Sequence, residues 1–226
     1  MIPIRDDTPV RGLPVVTPLL MLMCMGVYLW LLSLSPEARV EATRLLGFLP
    51  GVLFRHPEIE VEPWVSAPGS IFTAMFLHSG FFSLAVNMLY LWIFGDNVED
   101  RFGHGPFTVF YLLCGLGATA LQLAFSSGSH VPNLGASGAI AGVLGAYLLL
   151  FPQGRVRVLQ YQRVVQMPAL IVIGFWIVLQ LFAGVGSISN AADTGGVAYM
   201  AHIGGFVVGC VLTLVFRGSG RAQVTA

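Results

Sequence analysis

The sequence contains no lysine, and charged residues of every kind make up only 10% of its 226 residues. Soluble domains carry about 25% charged residues. Here 56% of the residues are hydrophobic and the mean hydropathy is +0.80. A chain with so little charge cannot cover a water-facing surface, so this scarcity excludes an ordinary soluble domain. It favours one compact domain surrounded by a lipid bilayer.

Several kinds of enzyme lack the residues that they need. There is no H-E-x-x-H motif, no P-loop and no dinucleotide-binding fingerprint, which argues against zinc metalloproteases of that type and common nucleotide-binding enzymes. Asp96 and Asp193 fall at predicted helix ends and form no membrane-embedded pair, so aspartyl chemistry is not expected. No basic stripe predicts a nucleic-acid partner, and no metal or cofactor is implied. The cysteines lack C-x-x-C spacing and are predicted to be small buried hydrophobic residues: Cys24, Cys114 and Cys210.

Long stretches without Asp, Glu, Lys or Arg predict membrane helices. A spanning helix needs about 20 apolar residues, and four of the five longest charge-free stretches fit one helix each. The stretch 102–154 fits two helices, because turn residues at 126–133 interrupt it. The sequence therefore predicts an all-α, polytopic bundle of six transmembrane helices, at about 13–34, 80–94, 107–125, 136–151, 168–183 and 197–216.

The distribution of arginine predicts the orientation of this bundle. Six helices place both termini on one side, together with eight of the eleven arginines, and the positive-inside rule makes that side cytoplasmic. The eight are Arg5, Arg11, Arg101, Arg155, Arg157, Arg163, Arg217 and Arg221, whereas Arg39, Arg44 and Arg55 lie opposite. We expect a multi-pass protein of a bacterial inner (plasma) membrane.

The predicted organisation is a cytoplasmic tail at 1–12, a membrane domain at 13–216 and a second cytoplasmic tail at 217–226. The tail 1–12 is not expected to be a cleavable signal, because it holds two aspartates and no small-residue cleavage site follows the first apolar run. A long external segment, 35–71, follows the first helix. Its stretch 45–54 is too apolar for a solvated loop and too short to span, so we predict a re-entrant or interfacial piece, with Trp64 near the headgroups.

Two predicted helices carry stripes of small residues, which let helices approach closely in lipid. The stripes are Ser137, Ala141 and Gly145, with Gly138 and Gly142 beside them, and Ala201, Gly205 and Gly209. Packing alone would explain such stripes. Here each stripe also carries a polar residue at the same predicted depth, which is Ser137 on one helix and His202 on the other.

These two residues form a candidate catalytic pair. A serine needs an adjacent base to become a nucleophile, and imidazole is the best base near neutral pH. No carboxylate lies in either helix, which predicts a Ser137–His202 dyad; any third group that orients the imidazole is not identified. Two ordinary roles stay open, because a serine at a helix start is often a cap and a buried histidine is sometimes structural.

An oxyanion formed at Ser137 would need hydrogen-bond donors. The Ser137 N–H lies at a predicted helix N-terminus, where backbone donors are free. Asn87 is polar in an apolar run and is a second candidate, although an interhelical hydrogen bond explains it equally well. Ser83, one turn earlier, is a possible assistant, and His78 is predicted to be structural. Solvated loop positions are predicted for His56, His104 and His130.

Several of these motifs, in this order, resemble the rhomboid intramembrane serine proteases. The sequence Gly135-Ala136-Ser137-Gly138 is similar to the family's nucleophile motif. The histidine helix is similar to A-H-x-x-G-x-x-x-G, and its residues are Ala201, His202, Gly205 and Gly209. Asn87 matches the asparagine of H-x-x-x-N, and the pair Glu99 and Arg101 matches E-x-R. Gly135, Gly138, Gly205, Gly209, Glu99 and Arg101 are expected to be structural residues near the site.

The resemblance implies an endopeptidase that cleaves a transmembrane helix of another protein near the outer face. It also implies that the predicted fifth helix is a gate and that the glycine-rich loop 184–196 caps the site. One position departs from the motif, because Ser83 stands where the family has the histidine assigned to the oxyanion hole. This departure predicts a slower enzyme and keeps open a catalytically weak or inactive relative that binds membrane helices. A small transporter is a further alternative, and the oligomeric state is not predicted.

Overall fold

The computed structural model describes residues 2–53, 64–125, 131–189 and 199–216. In this part of the chain, nine helices and three strands follow one another as β1 (Ile2–Asp6), α1 (Val16–Ser33), α2 (Pro36–Leu46), α3 (Pro50–Leu53), α4 (Ala67–Ala74), α5 (Phe81–Phe102), α6 (His104–Phe125), α7 (Ser137–Leu150), β2 (Arg155–Gln160), β3 (Arg163–Pro168), α8 (Ala169–Ser189) and α9 (Tyr199–Phe216). The predictions for His56, His130, Asp193, Arg55, Arg217, Arg221 and the tail 217–226 lie outside the described residues.

The helices confirm a polytopic, mostly helical membrane protein. Four of them, α1, α5, α6 and α9, are long and apolar enough to cross a membrane. Two shorter apolar helices cover Ser137–Leu150 and Ala169–Phe182, at the places predicted for the fourth and fifth spans. The predicted count of six spans stays a prediction. The largest difference in length is at α5, which continues about two turns beyond its predicted end.

Helix α7 forms the centre of the bundle. Every residue from Gly138 to Tyr147 is buried, which is typical of a helix that is apolar on all sides. Helices α5, α6 and α9 pack around it. A Cβ atom on Gly205 would collide with the carbonyl group of Gly138, and one on Gly209 would collide with the backbone of Gly142. The small residues of α7 and α9 therefore bring the two backbones together, as the stripes predict.

A buried carboxylate joins the beginning of α1 to α5. Glu99 is 1% exposed and accepts hydrogen bonds from the backbone N–H groups of Val15, Val16 and Thr17 at 2.7, 2.8 and 2.7 Å. The positive end of the helix dipole favours a carboxylate at this place. His104, which begins α6, donates from Nδ1 to the same carboxylate at 2.6 Å. His104 begins α6, so the predicted loop position is wrong; its side chain is 58% exposed, as predicted for a solvated residue, and is also paired with Glu99.

A three-stranded antiparallel sheet was not predicted. The arginine-rich connection 155–163 is part of a hairpin of β2 and β3, and β1 pairs with the other edge of β2. Val156 and Val158 are fully buried against the helices, whereas Arg155 and Arg157 are exposed. The alternation of buried valine and exposed arginine is the pattern of a strand with one covered face.

Strand β1 is fixed to the bundle through Asp6. Its carboxylate accepts hydrogen bonds from the hydroxyl group of Tyr147 at 2.9 Å and from Nδ2 of Asn97 at 3.0 Å. Burial raises the pKa of Asp6 above its ordinary value of 3.8. The segment predicted as a tail at 1–12 thus includes an ordered strand that contacts α5 and α7.

The external segment after α1 folds back onto the bundle. Phe48 is 1% exposed, and it exchanges two backbone hydrogen bonds with Asn133 at 3.3 and 2.8 Å. Leu45 and Leu49 are also buried, whereas Trp64 is 63% exposed. The apolar stretch predicted as re-entrant or interfacial is therefore mostly covered by protein between Leu45 and Gly51, whereas Leu53 is exposed, and it supports the loop that leads into α7.

Candidate active site

The serine begins the central helix because the chain turns sharply just before it. Gly135 has a φ of +111°, a backbone conformation that residues other than glycine rarely adopt. Its N–H donates to the carbonyl group of Ala74, at the end of α4, at 2.9 Å. Ser137 is the first residue of α7, so its backbone N–H is one of the donors that a helix leaves free.

The histidine lies in the first turn of α9, directly beside this serine. Nε2 of His202 is 2.8 Å from Oγ of Ser137. The two helices can place their side chains this close because Gly138 and Gly205 remove the atoms that would separate their backbones. The distance is that of a hydrogen bond between a nucleophile and its general base.

The second nitrogen of the imidazole also has a partner. Nδ1 of His202 donates to Oε1 of Gln180, on α8, at 2.7 Å. Two aromatic rings flank the imidazole, Trp176 with ring centroids 5.7 Å apart and Tyr199 with centroids 6.5 Å apart and nearly perpendicular planes. None of these three residues was predicted from the sequence. A signal was available for Gln180, which interrupts the apolar run from Ala169 to Phe182 with an amide.

Asn87 lies beside the nucleophile and is held by His78. The Asn87 side chain is 6% exposed, and its Nδ2 donates to Nε2 of His78 at 3.0 Å. Burial lowers the pKa of His78, which keeps the ring neutral and able to accept this bond. A Cβ atom on Gly135 would lie 3.8 Å from both Nδ2 of Asn87 and Oγ of Ser137. The amide therefore borders the space in front of the serine, and its second N–H is not used by His78.

Three other candidate residues make no hydrogen bond to this pair within the described part of the chain. Ser83 is exposed and makes no hydrogen bond within the described part of the chain. Glu99 is 12 residues beyond Asn87 on α5, which corresponds to about 18 Å along the axis. The expectation that Glu99 is near the site is thus wrong in position, because this residue holds the far end of the bundle. Arg101, next to it, is at that end as well.

A small cavity adjoins the nucleophile. It has a volume of about 30 Å³ and is lined by Ser137, Gly138, Asn133, Met75 and Thr119, among others. One water molecule requires about 10–15 Å³ of such space and a few polar partners. Ser137 and Asn133 provide polar atoms, so the cavity can supply the water that a hydrolytic reaction consumes.

Metal ions have no candidate ligands in the described ranges, where no group of three or more His, Cys, Asp or Glu side chains is placed to hold one. The chemistry of the described site is that of a serine, a neutral acceptor nitrogen and amide donors. This fold and site define the class of the protein. It is a helical multi-pass membrane protein in which a serine and a histidine are paired between two closely packed helices.

The protein family of this chain is identified by a match that covers more than half of its length. Residues 66–219 match the Rhomboid domain model, and this range includes Ser137, His202, Asn87 and Gln180. The chain belongs to the rhomboid family.

Similar proteins come from several kinds of organism. The chain is 34% identical over 159 residues to Rhomboid protease GluP of Bacillus subtilis, which covers 69% of this chain and 28% of that protein. It is 29% identical over 152 residues to Rhomboid protein 1, mitochondrial, of Saccharomyces cerevisiae, covering 66% and 42%. RHOMBOID-like protein 1 of Arabidopsis thaliana is 31% identical over 147 residues, covering 65% and 34%. The chain spans less than half the length of these relatives, and their mixed sources do not support the bacterial inner membrane in particular.

Proposed function

We propose that this chain is an intramembrane serine endopeptidase that cleaves transmembrane segments of other proteins, with Ser137 as nucleophile and His202 as general base. The observation that carries the proposal is the distance of 2.8 Å between Oγ of Ser137 and Nε2 of His202. The match to the Rhomboid domain supports it, because this family includes a protein named as a rhomboid protease.

The reaction starts when Oγ of Ser137 attacks the carbonyl carbon of a substrate peptide bond and passes its proton to Nε2 of His202. The carbonyl oxygen becomes an oxyanion, for which the Ser137 N–H and the amide of Asn87 are donors. His202 then gives its proton to the leaving amine as the C–N bond breaks. Water attacks the acyl–enzyme with the same base, and this step restores Ser137. No cofactor takes part.

The substrate has to present an unwound peptide bond to this pair, because a bond inside a helix is shielded on all sides. We therefore expect cleavage near one membrane face, in a stretch of small or helix-breaking residues. From the arginine distribution we expect the face with β1, β2 and β3 to be cytoplasmic, which would place Ser137, at the opposite end of α7, toward the outer face. The predicted cap, 184–196, lies outside the described residues from position 190 onward.

Ser83 supports a second candidate function. It stands where the family motif has a histidine, and among the described residues it is exposed and makes no hydrogen bond, so the oxyanion hole has one donor fewer. A loss of one such donor lowers kcat by about 10²–10³-fold. The corresponding candidate is a rhomboid-like protein that binds membrane helices and cleaves them slowly or not at all.

Cleavage of a transmembrane substrate by purified protein in proteoliposomes tests the proposal. We expect cleavage and labelling by a fluorophosphonate with the wild type, and neither with Ser137→Ala or His202→Ala. Circular dichroism and thermal unfolding control for folding of the two variants. A folded wild type that neither cleaves nor labels, but cross-links to the transmembrane peptide, would contradict the endopeptidase and favour the helix-binding function.

A further inference from the structure

Both ring nitrogens of His202 make hydrogen bonds, and these two bonds determine which nitrogen carries the proton. Oε1 of Gln180 is an amide oxygen and can only accept, so Nδ1 of His202 carries hydrogen at the 2.7 Å contact. A neutral imidazole has one N–H, so Nε2 is left with a free lone pair. That lone pair faces Oγ of Ser137, and a base needs it there.

Gln180 and Trp176 reach the imidazole from the same helix face, because residues four apart on a helix are neighbours. Trp176 covers the ring with centroids 5.7 Å apart, and Gln180 fixes its edge. Trp176 in turn contacts Tyr90 of α5, with centroids 6.4 Å apart. Helix α8 therefore determines both the orientation of the ring and the position of its proton.

On the opposite face of α8, large apolar side chains are exposed among the described residues. Leu170, Phe175, Leu179 and Phe182 are each 48% exposed or more. A displacement of α8 relative to α9 would change the distance between Gln180 and His202. Such a movement would break the bond between Gln180 and His202.

We infer that Gln180 is a positioning residue, which holds His202 as the tautomer that can accept the proton of Ser137 and links the readiness of the base to the position of α8 beside α9. This inference rests on the proposed endopeptidase function and adds a third, neutral member to the dyad. An amide oxygen orients the imidazole without adding a charge, which suits a site bordered by lipid, where a buried carboxylate would be costly.

The test compares wild type with Gln180→Leu, Gln180→Glu and Leu179→Ala. Leucine keeps the approximate size of the side chain and removes the acceptor, whereas glutamate keeps an acceptor oxygen. Leu179→Ala is the matched control, because it changes the neighbouring residue on the exposed face of the same helix. The measurements are kcat and KM for the transmembrane substrate, the rate of fluorophosphonate labelling, and the 15N spectrum of His202, assigned with His202→Ala.

Gln180→Leu is expected to lower kcat and the labelling rate by about 10- to 100-fold, as misplacement of a catalytic group does, while KM stays unchanged. Its 15N spectrum is expected to lose the single Nδ1–H tautomer of the wild type and to show a mixture. Gln180→Glu is expected to recover most of kcat and the Nδ1–H tautomer, and Leu179→Ala is expected to match wild type in every measurement.

Unchanged kcat and an unchanged 15N spectrum in Gln180→Leu would overturn the inference. A lower unfolding temperature with unchanged kcat and tautomer would overturn it too, because Gln180 would then only join two helices. A wild type that neither cleaves nor labels would refute the proposed function instead, and the 15N spectra of wild type and Gln180→Leu would still decide the role of Gln180.

Discussion

At the scale of single residues, the candidate site depends on two side-chain amides as much as on its nucleophile and base. Gln180 accepts from the imidazole, and Asn87 borders the space where an oxyanion would form. Both are neutral, and each is fixed by a bond to a histidine, His202 in one case and His78 in the other. Amides can orient and stabilise charges that exist only during the reaction without placing a permanent charge beside lipid.

Asn87→Ala is expected to lower kcat by about 10²–10³-fold with little change in KM, because an oxyanion donor acts only in the transition state. Steady-state cleavage of the transmembrane substrate measures this effect. The matched control is Asn97→Ala, which removes another buried amide of α5 that bonds Asp6 at the other end of the helix. Its kcat is expected to stay at the wild-type value although its stability falls. Equal losses of kcat in both variants would show that Asn87 acts only through folding.

The sequence predicted individual polar residues of the site better than their partners. Ser137, His202 and Asn87 stand out because a polar side chain in an apolar run needs a reason. Gln180 has the same property, but its partner depends on which face of α8 turns toward α9, and an apolar helix without amphipathic pattern does not reveal that face. The bond between Glu99 and the beginning of α1 was hidden for a related reason, since it joins positions more than 80 residues apart.

At the scale of helices, the contact between α7 and α9 depends on the absence of side-chain atoms. The backbones meet where Gly138 and Gly142 face Gly205 and Gly209. Such close contact replaces the hydrophobic effect, which does not drive association between helices in lipid. The same contact sets the distance between Ser137 and His202, so the stability of this pair of helices and the geometry of the site are inseparable.

Gly205→Ala is expected to destabilise the protein by about 3 kcal/mol, because the new Cβ atom would overlap the carbonyl group of Gly138 and force the helices apart. Unfolding in mixed micelles measures the loss, and fluorophosphonate labelling of Ser137 should fall with it. Gly174→Ala on α8 is the control, since a Cβ atom there meets nothing within 4 Å. A Gly205→Ala variant as stable and reactive as Gly174→Ala would refute the close packing of α7 against α9.

The helices were predictable and the sheet was not, for a physical reason. A spanning helix satisfies its backbone hydrogen bonds within one segment, so composition over about 20 residues reveals it. Strand β2 depends on partners at both edges, and one of them, β1, lies at the other end of the sequence. Its alternation of valine and arginine is short, and the arginines alone fit a solvated cytoplasmic loop equally well.

At the scale of the whole molecule, Asp6 joins the N-terminal strand to α5 and α7. Because burial raises the pKa of Asp6, the folded protein binds its proton more tightly than the unfolded chain. The contribution to stability is therefore fully present below the ordinary pKa of 3.8 and is lost as the pH rises through the raised value.

Asp6→Asn is expected to remove the part of this decrease that belongs to Asp6, because asparagine does not titrate. The prediction is tested by thermal unfolding of wild type and variant in detergent. The unfolding temperature is measured between pH 3.5 and 7 in steps of about half a pH unit. Asp7→Asn, at the next position but outside the strand, serves as the control and should keep the wild-type decrease. The same pH dependence in Asp6→Asn as in wild type would assign the decrease to another group.

The pairing of β1 with β2 also constrains the order in which the protein can be completed during synthesis. The partners of Ile2 and Asp6 are Leu159 and Val156, which are made about 150 residues later. At a translation rate of about 5–20 residues per second, β1 stays unpaired with β2 for roughly 8–30 s after its own synthesis. It meets its partner only after the hairpin has emerged on the same side of the membrane, so closure of this sheet is a late event that reports correct insertion of the helices between them.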